Sequence, residues 1–535
     1  LTLSSNVTFT AAGSGRAIVN GALDLGTATR TFTIGAGVAV EGGIEFDVPA
    51  VVTGVAGSGL TKAGTGVMRL TRANTLDGPV SITGVLRMNN AQALGVPSVA
   101  RTVSVAASSS LVLDGVGISD PDGRFTVSLN GVGSATVGPI SGALVNGSGN
   151  NTVPCAITLA AASTIAVTNP ADTLTLTGPM MAANLTLTVA GNGNTEIGGA
   201  MGLGTGGLTK NNLGLLELKA TNTFSGAVTV NGGELRVSGL IAGAATVNSN
   251  ALLSGAGTVA AVTVASNGVI APGAAGLGTM RTTGNLTLQN GAIYECEIGP
   301  AGSCDRIDVA GNIALTTTWT LRLKSVGGAA NPADSFTILT YTGVVSTFGN
   351  VAIDASQLGS GWNATGATVV HDLQNKRIYV TGLTQTGPML SLSDITVMEG
   401  DSGTTNAIFT VTLTNGTGVV SVAFSTANDT ATAGSDYTAS NGTLVIDGSV
   451  ATTGQIIVPV AGDTDDEWPG EFFRLILSAP VGATLYDDQA RCGISDDDRD
   501  LAYEMKITFT GYTGTETLLD FPALVIFQDG LPGFS

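Results

Sequence analysis

The 535-residue sequence predicts an all-β protein, a stacked β-solenoid followed by antiparallel β-structure. Three observations carry that expectation. First, one segment occurs twice, 148 residues apart. Aligning 58–84 with 206–232 gives eleven identities in 27 positions, among them Leu60/Leu208, Lys62/Lys210, Asn74/Asn222 and Gly78/Gly226. A long imperfect repeat of short strands and Gly/Asn turns marks units that bury their apolar face only by stacking on their neighbours. Second, the composition is that of strands and tight turns. Gly accounts for 76 residues, about twice the usual share, and charged residues for only 11%. Third, apolar and polar residues alternate in short runs such as TLTLTG at 173–178, and nothing has the 3.6-residue period of a long amphipathic helix.

Charge divides the chain. Residues 1–385 carry 19 acidic and 17 basic side chains, and residues 386–535 carry 21 and 4, so the net charge of −19 resides almost wholly in the last quarter. That balance repels nucleic acid and anionic membranes. A local acidic cluster suits a hard cation such as calcium. No 18-residue apolar run is present, so no membrane span is expected. The sequence starts at Leu1, without Met or a signal-type region, and ends as abruptly, which reads as an internal or processed piece of something longer.

Residues 1–385 form the first expected domain, with further degenerate units at 246–273 and 283–299. At 20–25 residues per coil it would hold roughly 16 coils, a rod on the order of 75 Å at ~4.8 Å per coil. Asn74 and Asn222 precede turns, either as left-handed turn formers, the favoured reading, or as stacked ladder residues. Lys62 and Lys210 are expected at solvated coil edges. Residues 206–239 resemble the autotransporter-associated β-strand repeat, with its G-x-L-x-K…G-x-L-x-L…N-x-[FY]-x-G pattern, and 252–310 resemble the region that often follows such repeats. The resemblance covers most of 50–345. It implies a right-handed parallel β-helix on a secreted or surface-displayed bacterial protein. The copy at 57–88 departs from the pattern at Leu76, where an aromatic is usual.

Cys296 and Cys304 flank a Gly-Pro turn, which would set them side by side across a hairpin, either as a disulfide or as buried thiols. Cys155 and Cys492 stand alone, with no CxxC spacing, so no zinc or redox centre is expected.

Residues 381–389 (TGLTQTGPM) have the composition of a linker. Beyond it, 390–416 alternates as a half-buried antiparallel strand pair does. Four motifs then follow in order over about 110 residues: V-x-E-G, T-x-x-x-T-A-x-A-G-S-D-Y, G-D-x-x-x-E and a closing D-D-D. They resemble a Calx-β domain, which implies a seven-stranded immunoglobulin-like sandwich over 386–500. In calcium-binding members the ligands come from loops at one end. Carried over by motif they are Glu399, Asp463, Glu467, Glu471, Asp496, Asp497 and Asp498. So many carboxylates converging without a cation would repel, and Ca²⁺ relieves that with 6–8 oxygens. The alternative is a solvated acidic rim. Asn428 stands where those members carry a ligating Asp, with Asp429 adjacent, and Glu467 and Glu471 are four apart where three is usual. Asp436 is expected to bond its own turn.

Residues 501–535 read as a partial β-rich domain or exchange segment: their strands are apolar enough to need burial, yet 35 residues cannot close a core. No enzyme motif emerges. The single histidine, His371 beside Asp372, reads as structural. The function expected is a non-enzymatic structural or adhesive module of a large bacterial surface or filament-forming protein, extracellular, with a calcium-stiffened Calx-β domain. Its partners would be copies of itself, neighbouring surface proteins or extracellular polysaccharide. The rival is a β-helix polysaccharide lyase or hydrolase. It is disfavoured because the 36 charged residues of 1–385 are thinly scattered and aromatics are few.

Overall fold

The computed structural model describes residues 1–10, 15–37, 43–96, 98–138, 140–273, 276–299, 302–326, 334–359, 362–385, 387–464 and 471–495. Two compact units meet between residues 386 and 387.

The first unit is a parallel β-helix. One ladder starts at Val7–Phe9 and climbs through Arg30–Ile34 and Leu60–Ala63 to Met201–Gly202, every pairing parallel. The same face continues as Thr221–Asn222 and rises to Phe336–Tyr341. A second ladder runs from Ala17–Ile18, and a third from Asn151–Val153. Both run into one 13-residue strand, Ile313–Ser325, which pairs with Leu286–Leu288 through its first residues and with Ile293–Ile298 through its last, and on which a second 13-residue strand, Val345–Gln357, stacks in parallel. The corner between two faces is thus straightened out over the last two coils. Coil length varies: Leu235 stacks on Leu253, 18 residues on, but Tyr294 stacks on Leu321, 27 residues on.

Strict alternation makes the core. In the coil spanning 208–227, Leu208, Leu216, Leu218 and Phe224 are all fully buried. Each contributes about 1.5–3 kcal/mol relative to exposure, which only the coils above and below make possible. Leu76 occupies the buried place that Phe224 fills in the other copy. The shared glycines are forced by close stacking: a Cβ on Gly78 would lie 2.3 Å from the Gly57 carbonyl oxygen, and one on Gly226 2.2 Å from that of Gly206.

Four expectations for this unit need correction. Lys62 and Lys210 are not solvated edges; they are among the largest fully buried side chains. Each turns its ammonium into the mouth of a tight turn. Lys62 Nζ donates to the carbonyls of Ala63 (3.0 Å), Gly64 (2.8 Å) and Thr83 (3.3 Å). Lys210 Nζ donates to Asn211 (2.8 Å), Asn212 (3.0 Å) and Gly232 (3.3 Å). Desolvation pulls both amines down to about 8. Nor are Asn74 and Asn222 turn formers, since neither is among the residues with positive φ. Asn74 accepts from Val52 N (2.8 Å) in the preceding coil and donates to Ala93 O (2.6 Å) in the next. Asn222 likewise joins Met201 N (3.0 Å) to Leu240 O (3.1 Å).

Cys296 and Cys304 are free thiols. Cys304 lies opposite Ile298 in an antiparallel bridge, so the two cysteines are diagonal rather than facing. The two side chains remain in hydrogen-bond contact with each other as thiols, and their sulfurs also lie against carbonyls, Cys296 near Asp305 O (3.5 Å) and Cys304 near Thr337 O (3.3 Å). Finally, the parallel stacking does not persist to residue 385. Phe336–Tyr341 pairs antiparallel with Arg377–Thr381, which pairs antiparallel with Thr368–Asp372. The hairpin covers backbone groups that a last parallel strand would leave open.

The second unit is a two-layer sandwich, antiparallel except where Met389–Ser391 pairs with Thr484–Leu485 and Ile395–Met398 with Gln489–Ser495. One sheet orders Thr453–Gly462, Gly403–Thr414, Met389–Ser391 and Thr484–Leu485. The other orders Ile395–Met398, Gln489–Ser495, Glu471–Val481, Val419–Asn428 and Asn441–Asp447. Among the described residues, nine strands stand where seven were expected, chiefly because the first strand splits: Met389–Ser391 joins one sheet and Ile395–Met398 the other. Between the layers Tyr437 stacks on Phe473 (4.3 Å between centroids), and Phe409 meets Phe473 edge-on (6.0 Å). The segment 501–535 lies outside the described residues.

Candidate functional site

One end of the sandwich gathers carboxylates because four chain segments turn there. The strand Ile395–Met398 delivers Glu399, whose N–H donates to Ser495 O (3.2 Å) and whose carbonyl accepts from Thr405 Oγ1 (2.8 Å). Those bonds fix the backbone, and the residue is only 2% exposed. Gly400 passes so close to Gly462 that a Cβ on the latter would lie 2.0 Å from the Gly400 carbonyl oxygen. Asp463, next in the chain, therefore emerges beside the Glu399–Gly400 turn. Glu471 opens its strand opposite Ile494, two residues before the closing acidic run.

A fourth carboxylate joins them. Asp436 bonds its own turn, as its GSDY context suggested: Oδ2 accepts from Thr432 N (2.7 Å), and its carbonyl accepts from Ala461 N (2.9 Å). It is also buried and in hydrogen-bond contact with the Glu471 carboxyl. Burial works against its ionisation, but hydrogen bonds from Ser435, Thr432 N and Glu471 outweigh that and hold it below the usual carboxylate range. Two touching carboxyl groups cannot both stay charged without a proton or a cation between them. The structure thus brings Glu399, Asp463 and Glu471 to one end and adds Asp436. The available signal for it was the family-like GSDY motif, which was read only as a turn.

Glu467, Asp496, Asp497 and Asp498 lie outside the described residues. Among the described residues, no three His, Cys, Asp or Glu side chains are grouped closely enough to hold a metal ion. The donors that do gather are all oxygens, two of them on buried residues, which is the chemistry of a hard cation and not of zinc or copper. Neither neighbour of the departure at 428 belongs to the cluster. Asn428 Oδ1 accepts from Ala433 N (3.0 Å) and Tyr437 Oη (2.7 Å), so it staples the loop. Asp429 faces Arg474 (3.2 Å) and Arg491 (3.5 Å) and is neutralised there.

The β-helix offers no catalytic constellation among its described residues. His371 bonds Tyr341 Oη through Nε2 (2.7 Å) and stacks on Phe348, and desolvation lowers its pKa. Asp372 is engaged by Arg377 and Asn375. Many charged side chains pair between adjacent coils, as in Arg69–Asp47 and Arg322–Asp354. Among the described residues, no helix is long and apolar enough to cross a membrane.

The Calx-beta domain model matches residues 388–498, and the passenger-associated-transport-repeat model matches 60–84 and 208–237. Neither is an enzymatic family. Among solved structures, the chain is similar to the apo-form Calx CBD1 domain, with 24% identity, 21% of this chain and 99% of that chain covered, and a TM-score of 0.19. It is also similar to CBD12 from CALX1.2, with 26% identity over 21% of this chain and 46% of that one, TM-score 0.19. The Calx CBD2 domain is 17% identical over 21% and 90%, TM-score 0.19. No curated protein matches the chain. Residues 388–498 match the Calx-beta domain model and the β-helix before them matches the passenger-associated-transport repeat at two places, a pairing that supports an extracellular surface module.

Proposed function

We propose that this chain is a structural and adhesive module of a bacterial surface protein, in which the β-helix displays a Calx-beta domain stiffened by calcium. The observation that carries the calcium reading is the contact between the Asp436 and Glu471 carboxyls, at the end of the sandwich that also carries buried Glu399. Glu399, Asp463 and Glu471 would supply ligands, with Asp436 as an addition, and Glu467 and Asp496–Asp498 follow from the motif alone. Calcium would relieve the repulsion among these groups and tie the loops that carry them to one point. The exposed strands and turns of the β-helix would then meet other copies, neighbouring surface proteins or extracellular polysaccharide.

Thermal unfolding of the full chain in EDTA and in millimolar CaCl₂ tests this. A ligand at 100 times its dissociation constant stabilises by about 2.7 kcal/mol. For a domain of this size that raises the midpoint by roughly 10 °C or more. The sandwich transition should rise with Ca²⁺, and Glu399→Gln should abolish most of the rise. Identical melting with and without calcium would leave these carboxylates as an acidic rim.

A further inference from the structure

A groove of about 450 Å³ lies on the β-helix where the parallel face meets its antiparallel cap. We propose that it binds a segment of an anionic polysaccharide. The proposal deepens the surface-module reading, on which it rests, by naming a partner class and a place.

The groove follows one outward-facing row of register partners. Thr258 stacks beside Arg281, Arg281 beside Asp308, and Asp308 beside Thr340. Beneath them, Val309 and Ala310 offer an aliphatic floor. The turn carrying Asn375 and Lys376 closes one end. That turn is fixed: Lys376, at φ +49°, donates to Thr342 O (2.7 Å), and Asn375 bonds Asp372 through both its backbone N–H and its side chain. An aliphatic floor with a polar rim matches a sugar ring, which presents C–H faces and hydroxyl edges. The volume lies within the range of small-ligand sites.

Charge selects the kind of sugar. Asp308 is held by Arg306 Nε (2.8 Å) and Thr340 Oγ1 (2.7 Å), so its position is set, and a carboxylate can accept further bonds from sugar hydroxyls. Arg281 lies only within 4.0 Å of Asp308 and is 63% exposed. Its fork of donors is suited to a carboxylate supplied from outside. With Lys376 it makes the rim net positive, within residues 1–385, whose 17 basic and 19 acidic side chains nearly balance. A polymer bearing both hydroxyls and carboxylates, a uronic-acid chain, answers every group on that rim. It can also run on along the row of coils, as a compact ligand cannot.

The full chain is titrated calorimetrically with a galacturonate hexamer and, in parallel, with maltohexaose as a neutral chain of equal length. EDTA is present throughout, so the outcome is independent of the calcium site. The galacturonate hexamer should bind, more weakly as NaCl is raised, and maltohexaose should not. Arg281→Ala should lower affinity about tenfold or more, and Arg281→Lys should recover part of it. Arg281 is exposed, so both variants should melt as the parent does. No binding of the hexamer at millimolar concentration, equal binding of maltohexaose, or binding indifferent to Arg281→Ala would each overturn the proposal. A calcium-dependent rise in melting, measured separately on the same protein without EDTA, would leave the surface-module reading standing.

Discussion

Replacing Lys210 by Met keeps the aliphatic stem and removes the ammonium from a site where it meets three carbonyl oxygens. Two effects oppose each other. Hydrogen bonds from a charged donor contribute about 1.5–3 kcal/mol each, so the acceptors lose roughly 4–9 kcal/mol in gross terms. Against this, the variant no longer buries a charge. The amine falls from 10.5 to about 8, which corresponds to a desolvation cost of about 3 kcal/mol. The net expectation at pH 7.5 is a loss of about 3 kcal/mol. The sign of the pH effect follows from linkage. Between about 8 and 10.5 the unfolded chain binds the proton more tightly than the folded one, so raising pH through this window favours folding. The wild type should therefore gain on Lys210→Met by up to about 3 kcal/mol as pH rises from 7.5 to 10.5. Comparing the two proteins removes the buried Cys and Tyr groups, whose raised values act in the opposite direction. Urea unfolding followed by circular dichroism at a series of pH values reads both quantities. A loss under about 0.5 kcal/mol at pH 7.5, the usual range for a surface substitution, would return Lys210 to a solvated edge. A gap between the proteins that stays constant with pH would refute the buried-cation account.

Asn222→Ala should cost about 2–4 kcal/mol, because it strands Met201 N and the carbonyls of Ala220 and Leu240 in a buried seam; urea unfolding measures this, and a near-neutral change would mean the coils stack without the staple. All four cysteines should alkylate after denaturation without reductant, as read by mass spectrometry, and protection of the Cys296 and Cys304 pair would show a disulfide instead.

Period-2 alternation and the repeat were enough to make the β-helix legible, because a strand's inward face must be apolar wherever sheets stack. The shared Gly78/Gly226 could likewise be read as close-approach positions. The acidic end of the sandwich was legible as a list, since ligand-type carboxylates cluster in motifs. Its geometry was not: Asp436 reaches Glu471 because its loop is bonded to the next residue of that strand, Phe472, which accepts from Ala431 N and donates to Thr430 Oγ1. Asp429, one residue from the expected ligand position, sits in the bend after Val419–Asn428 and is taken by two arginines.

The lysines show most clearly where sequence reasoning ends. A lysine among Gly and Asn reads as solvated, because an isolated buried charge is costly. Whether backbone carbonyls converge to offset that cost depends on how one coil lies on the next, and no local pattern encodes it. The placement of the repeats is equally a tertiary outcome. Leu60–Ala63 belongs to the first ladder, but the equivalent Leu208–Lys210 belongs to the second, one face further round. Coil length between the copies varies, so the same unit arrives on a different face of the helix. Its local bonds are preserved all the same, because each is made to the coil directly above or below. Alternation and turn chemistry are properties of the chain and settle which residues face inward. Which buried polar group meets which partner is a property of the stack, and only the folded molecule decides it.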